Sequence, residues 1–310
     1  MTRHAKKFRR IAQKLGRIEL METAQDDFAL GDDLVGDQAA RRGPARFLDF
    51  YGSEGIALAL SRYGFVEYLQ ERGYDDLEYR LELRDDRHTL IIEAQHPKLA
   101  EVVRVMELAV RKSRLVPSEL PGLDRAFEVL TVDWLMMRDP LSHFSAARPR
   151  LPGQDAPGLG LATQVLEMLY RVVERLKLDG LVTTGEHFHN AVMYRQEMSH
   201  LDAQAGGYCL ALEDALLSRE RLSLAAASWA VDWGYVSHAE SGVPVEWQGG
   251  VQVRGHTPEL ASFLRNEERR RERILEAARF SFSVDRDALT SRLRSEGIAE
   301  SLGLVEGDAK

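Results

Sequence analysis

Between Arg148 and Leu169 the chain reads RPRLPGQDAPGLGLATQVLEML, two arginines and a Pro-Gly turn running straight into an apolar-periodic stretch. Such a segment can hold a phosphate. A helix N-terminus presents backbone N–H groups without intrahelical partners, together with a partial positive charge. Gly158 and Gly160 carry no side chain, so an anion can approach those amides closely. Arg148 and Arg150 add charge at the entrance. The same residues also make an ordinary turn that starts a helix, because Pro157-Gly158 is turn chemistry. There is no Gly-Lys-Ser/Thr, so the Walker pattern is absent, and GLGLAT lacks the third glycine of the dinucleotide fingerprint.

A second cluster is GEHFHNA, with Glu186, His187 and His189. His-x-His chelates a metal when it lies on a strand, whereas on a helix positions i and i+2 diverge. No second clustered pair accompanies it, and no metal ligand is assigned. The alternative is a helix start at which Glu186 favours the dipole. Trp229 and Trp233 at i, i+4 in SWAVDWG are expected to pack in the core. RNEERRRER, with acids between its bases, reads as a solvated helix face. Cys209 lacks a nucleophile's context and reads as a small buried residue. The chain has no Gly-x-Ser-x-Gly to anchor a serine hydrolase.

These residues must be positioned by a chain of 310 residues, 44% hydrophobic and 29% charged, enough for one large domain or two modest ones. A formal net charge of -8 disfavours nucleic acid or an anionic membrane as partner of the whole chain. One cysteine rules out an internal disulfide and a multi-cysteine zinc site, and fits a reducing compartment. No apolar run approaches the ~18–20 residues of a membrane helix. The basic start has no apolar core of signal-peptide type. A cytoplasmic protein is expected.

Residues 1–45 pass from basic to acidic (ETAQDDFALGDDLVGDQ) to RRGPAR, and are expected to form a peripheral tail with the junction at RRGPAR. SEGIALALSRYGFVEYLQERG predicts one helix, with Ser53 as N-cap and Gly73 as its stop. LEYRLELR alternates without a fault and, with TLIIEA, predicts an antiparallel hairpin. Residues 96–117 fit helix or strand, the second half leaning to strand because a hairpin alone makes a poor sheet. AFEVLTVDWLMM predicts a strand buried on both faces. LATQVLEMLYRVVERLKL is the clearest helix, with Val165, Leu166, Leu169, Val172, Val173 and Leu176 on one stripe. DGLVTT predicts a strand and EHFHNAVMYRQEM a short helix, so residues 126–184 imply a β-α-β unit. Residues 206–310 are expected to be mainly helical, with a small hairpin in 235–253 turning at ESG and one helix opening at Thr257-Pro258.

Helix, hairpin, third strand, central strand, glycine loop, long helix, strand and a helix carrying Asn and Tyr: this order resembles the GNAT-type acyl-CoA N-acyltransferases. Residues 50–200 share the order, and QDAPGLG with HNAVMY carry it at the level of residues. The resemblance implies an α/β (α+β) fold, a central mixed sheet flanked by helices over residues 46–205, with 206–310 as a helical extension. It implies acetyl-CoA or another acyl-CoA, its pyrophosphate held by the 154–162 loop. Gly158, Leu159, Gly160, Leu161, Ala162, Arg150 and Asn190 would contact that cofactor. Tyr194 is the implied acid for the leaving thiolate, and Asp133, Glu186 or His189 the candidate base. The partner would be a small-molecule or peptide amine. Two other readings stand beside it: a non-catalytic structural or interaction protein on the same fold, and a metal-dependent hydrolase using His187 and His189.

Overall fold

A computed structural model describes residues 5–22 and 46–302. The acidic stretch after Glu22 and the junction expected at residues 41–45 lie outside the described residues. The chain forms two compact units that interleave along the sequence. One comprises residues 1–113, 130–138 and 160–177; the other comprises 114–129, 139–159 and 178–310. Together they carry an α+β architecture whose seven-stranded sheet, mostly antiparallel, is flanked by helices. No described helix is long and apolar enough to cross a membrane.

The first unit opens with α1 (Ala5–Lys14) and α2 (Arg17–Met21). The segment expected to be peripheral is thus folded in its described part. Ala5, Phe8, Leu15 and Leu20 are buried, because an apolar residue recurs every three or four positions along an otherwise basic run. Phe8 packs on Tyr63, and Arg175 donates to the Ala12 carbonyl. The single helix expected over 53–73 is two, α3 (Ser53–Arg62) and α4 (Phe65–Gln70). Gly64 separates them in the left-handed conformation at φ +82°, which a glycine adopts without steric cost. Gly52 rather than Ser53 is the N-cap.

The hairpin is present as β1 (Asp75–Leu83) and β2 (His88–Gln95), in a register that sets Leu81 opposite Leu90. The ambiguous segment is strand throughout its core, β3 (Val103–Leu115), antiparallel to β2. The central strand is β4 (Phe127–Met137), yet it is not buried on both faces: Glu128, Asp133 and Trp134 are exposed. Helix α5 (Ala162–Leu176) follows, ended by Lys177 in the left-handed region at φ 56°. Its stripe is buried at Val165, Leu169 and Val173, and so are Glu167 and Arg171.

In the second unit β5 (Gly180–Thr184), α6 (Phe188–Tyr194) and β6 (Ser199–His200) lead into α7 (Ala203–Glu213), a turn of π-helix (Asp214–Arg219) and α8 (Leu224–Asp232). The hairpin expected over 235–253 is resolved differently. β7 (Val236–His238) turns back through residues 239–242, but its sheet partner is β9 (Phe282–Val284). VQV belongs to β8 (Val251–Gly255), which joins the large sheet between β5 and β6. The sheet order is β1-β2-β3-β4-β5-β8-β6. The helix expected from Thr257 breaks at Asn266 into α9 (Pro258–Arg265) and α10 (Glu267–Ala277), because the Asn266 side chain caps the Glu268 amide. α11 (Arg286–Ser295) is the last α-helix, followed by a short 3-10 turn at Glu300–Leu302.

Candidate functional site

The second unit holds a cleft of about 470 Å³ where the start of α6, the end of α8 and residues 244–247 meet. His187 is the N-cap of α6, with extended backbone (φ −116°, ψ 160°). Its amide donates to Asn190 Oδ1 at 3.1 Å, so that oxygen is committed to the helix start. The His187 ring turns toward Asp232, the last residue of α8, with Nδ1 3.3 Å from Oδ1. A carboxylate facing one imidazole nitrogen fixes the ring's orientation and stabilises its protonated form.

His189 lies behind His187. Their rings stack at 5.4 Å, within 10° of parallel. The divergence expected of i, i+2 positions on a helix does not arise, because His187 precedes the helix in extended backbone. His189 is 3% exposed and its Nδ1 has no hydrogen-bond partner among the described residues. Burial, and next the neighbouring His187, push its pKa down to about 4. It is a neutral ring at neutral pH. Among the described residues no three His, Cys, Asp or Glu side chains gather to hold a metal ion.

Two indoles complete the cleft. Trp247 donates from Nε1 to the Gly185 carbonyl at 2.9 Å and meets Phe188 edge-on. Trp233 packs at 4.6 Å against Trp229, which is buried as expected and donates to the Arg150 carbonyl. Trp233 itself lines the cleft, with Arg292 over its ring. Cys209 is buried and its thiol is pushed up to about 12, so it is not a nucleophile at neutral pH.

The turn that leads toward α5 begins against this cleft. Arg150 Nε donates to the Gln154 carbonyl, and Gln154 Oε1 accepts from the Leu151 amide. Gly153, at φ +77°, touches His187: a Cβ there would stand 2.6 Å from Nε2. Gly153→Ala is therefore expected to destabilise the protein by about 1–2 kcal/mol through backbone conformation alone, and to displace the ring as well. Guanidinium unfolding of the variant checks this, and an unchanged midpoint would refute it.

Further along, the Leu159 and Leu161 side chains are buried, while Gly160 is exposed at φ +75°. A Cβ on Gly160 would meet only the Tyr68 hydroxyl, at 3.7 Å. Leu161 is the N-cap of α5, and no side chain caps the helix. Ala162 and Thr163, the first residues of the helix, are exposed. Near Gly160, the Arg72 guanidinium lies 3.5 Å above the Tyr68 ring.

The remaining residues singled out from sequence are dispersed. Glu186 is at the cleft, exposed. Tyr194 ends α6, half-buried, its hydroxyl pKa raised first by burial and then by Glu186. Asp133 belongs to the first unit and is held by Arg111, whose Nε lies 3.1 Å from both carboxylate oxygens. Asp232, Ser228, Trp247, Tyr68 and Arg72 were not marked by the sequence. Ser228 and Asp232 lie inside SWAVDWG, where the tryptophans draw the attention, and both are far along the chain from His187. No family model matches this chain, and the searches of curated proteins and solved structures return no match.

Proposed function

We propose that this protein transfers an acyl group from an acyl-CoA to an amine. One observation carries the reading: the 15-residue helix α5 follows a glycine loop, and its N-cap, Leu161, has an apolar side chain that makes no capping bond. The amides of residues 161–164 would hold the pyrophosphate, with Gly160 leaving room for its approach. The Arg72 guanidinium supplies a cation in the same unit. The order of elements from α3 to α6 is the order on which the resemblance to GNAT-type enzymes rests.

When bound, acyl-CoA supplies a thioester carbonyl activated toward a nitrogen nucleophile. The chain's own residues manage the protons. The amine must lose a proton to a base as its nitrogen bonds to the carbonyl carbon, and the imidazole that the second unit offers for this role is His187, oriented by Asp232. Tyr194, its hydroxyl pKa raised, stays protonated at neutral pH and has a proton to give as the carbon–sulfur bond breaks. Of the bases weighed from sequence, His189 is sealed behind His187, and Asp133 is occupied by Arg111.

Thermal unfolding with millimolar coenzyme A and acetyl-CoA tests the reading. A ligand present at 100 times its Kd stabilises by about 2.7 kcal/mol, which raises the midpoint by several degrees. No rise with either ligand would remove acyl transfer.

A further inference from the structure

The composition of the cleft has a consequence for what it binds. Three carboxylates, Glu186, Asp232 and Glu246, line it together with Trp233 and Trp247, and no lysine or arginine does. Arg292 reaches Trp233, but over the ring, with Glu296 as its ion-pair partner at 3.8 Å. His187 faces one of the three, Asp232, with Nδ1 3.3 Å from Oδ1. What remains is negative charge beside two indole faces, and a desolvated cation is attracted to the face of an indole. The indole of Trp247 is held in place by its bond to the Gly185 carbonyl.

Ser228 adds an independent observation. It lines the same cleft, is 1% exposed, and its hydroxyl has no hydrogen-bond partner among the described residues. A buried hydroxyl without a partner is unfavourable, and an N–H donor from a ligand would relieve it. A neutral ligand would leave the carboxylates facing one another, and a monocation would leave part of the charge uncompensated.

We infer that this cleft is a binding site for a small organic dication, a diamine or an amine joined to a guanidine by a short chain. One charged nitrogen is held by the carboxylates, the other rests against the indoles, and an N–H reaches Ser228. Binding does not depend on coenzyme A. That the dication is the acyl acceptor does rest on the acyl-transfer reading.

Isothermal titration of the full chain with cadaverine, agmatine, pentylamine and 1,5-pentanediol tests this. The two dications are expected to saturate, with pentylamine about tenfold weaker because the second cation's contact with the indoles is lost, and the diol, with no charge for either place, showing no heat. Glu246→Gln and Ser228→Ala are each expected to weaken cadaverine about three- to tenfold, while Glu71→Gln, on the other unit, leaves it unchanged. Equal affinity for cadaverine and pentylamine, or equal weakening by Glu71→Gln, would reduce the effect to the chain's overall charge and overturn the inference. Absence of saturation by both dications would overturn it too. Dication binding without a thermal response to acetyl-CoA leaves this site standing and removes acyl transfer; the reverse result removes this site alone.

Discussion

Arg171→Leu is expected to destabilise the protein by about 3–5 kcal/mol. The side chain sits on α5 at 4% exposure, its Nη2 2.9 Å from Glu167, which is itself 1% exposed, and its Nη1 2.6 Å from Glu174. Around it is the apolar lining of a cavity of about 100 Å³ in the first unit, formed by Leu15, Leu60, Leu169 and their neighbours. Removing the guanidinium leaves the charge of Glu167 buried without the cation that balances it, and this costs more than the pair itself contributes. The double variant Glu167→Leu/Arg171→Leu is thus expected to recover most of the loss, because two leucines of suitable volume extend an apolar lining. Urea unfolding of both single variants and the double, followed by circular dichroism, gives the coupling. A double variant less stable than Arg171→Leu would show that the charges stabilise the fold in their own right.

Lowering the pH from 7 to 4 is expected to remove roughly 3 kcal/mol of stability for each of two histidines. Burial pushes both His189 and His200 down to about 4, with His187 adding to the first and Arg273 and Arg195 to the second. The sign follows from the unfolded chain, where both titrate at the ordinary value near 6.5. Above that value neither state is protonated and the stability is complete. Below it the unfolded chain binds protons that the folded chain refuses, so stability falls through the window from 6.5 to 4 and levels off beneath it. Asp179 adds a separate loss at still lower pH. Burial alone would raise its pKa, but Arg125 and the Glu128 amide outweigh that and hold it below the usual value. Denaturant unfolding at pH 7, 6, 5 and 4 measures the slope. His189→Gln and His200→Gln should each remove about half of the loss above pH 4, and a slope untouched by both variants would rule out these histidines as its source.

Local periodicity made much of the first unit legible. The alternation of Leu77, Tyr79, Leu81 and Leu83 gives β1, and the stripe from Val165 to Leu176 gives α5. The same signals fail where a single residue overrides the pattern. The apolar spacing runs on across Gly64, yet that glycine takes a left-handed conformation and splits the helix. Asn266 is an N-cap set inside a charge run, and the charges hide it. Glu167 and Arg171 occupy helix positions that look solvated, because sequence does not show that α1 packs on α5. The cleft was half legible: GEHFHNA marks His187, whereas Asp232 reads only as an acid at a helix end. Their meeting depends on how α6 and α8 pack, which no spacing encodes. The partner of β8 was missed for a related reason, since a short apolar strand does not name the edge it will join.

That strand has a bearing on how the protein is made. β5 pairs along its length with β8, from Gly180 opposite Gly255 to Thr184 opposite Val251. During synthesis β5 leaves the ribosome well before its partner, and at about 5–20 residues per second the delay lasts seconds. Throughout that time one edge of β5 presents open N–H and C=O groups, the kind of template on which chains pair with each other. β6, which also bonds only to β8 in this sheet, waits with it. The C-terminal third is therefore not an appendage to a finished sheet. Nascent chains stalled ahead of residue 255 are the form of this protein most exposed to aggregation and most in need of a chaperone.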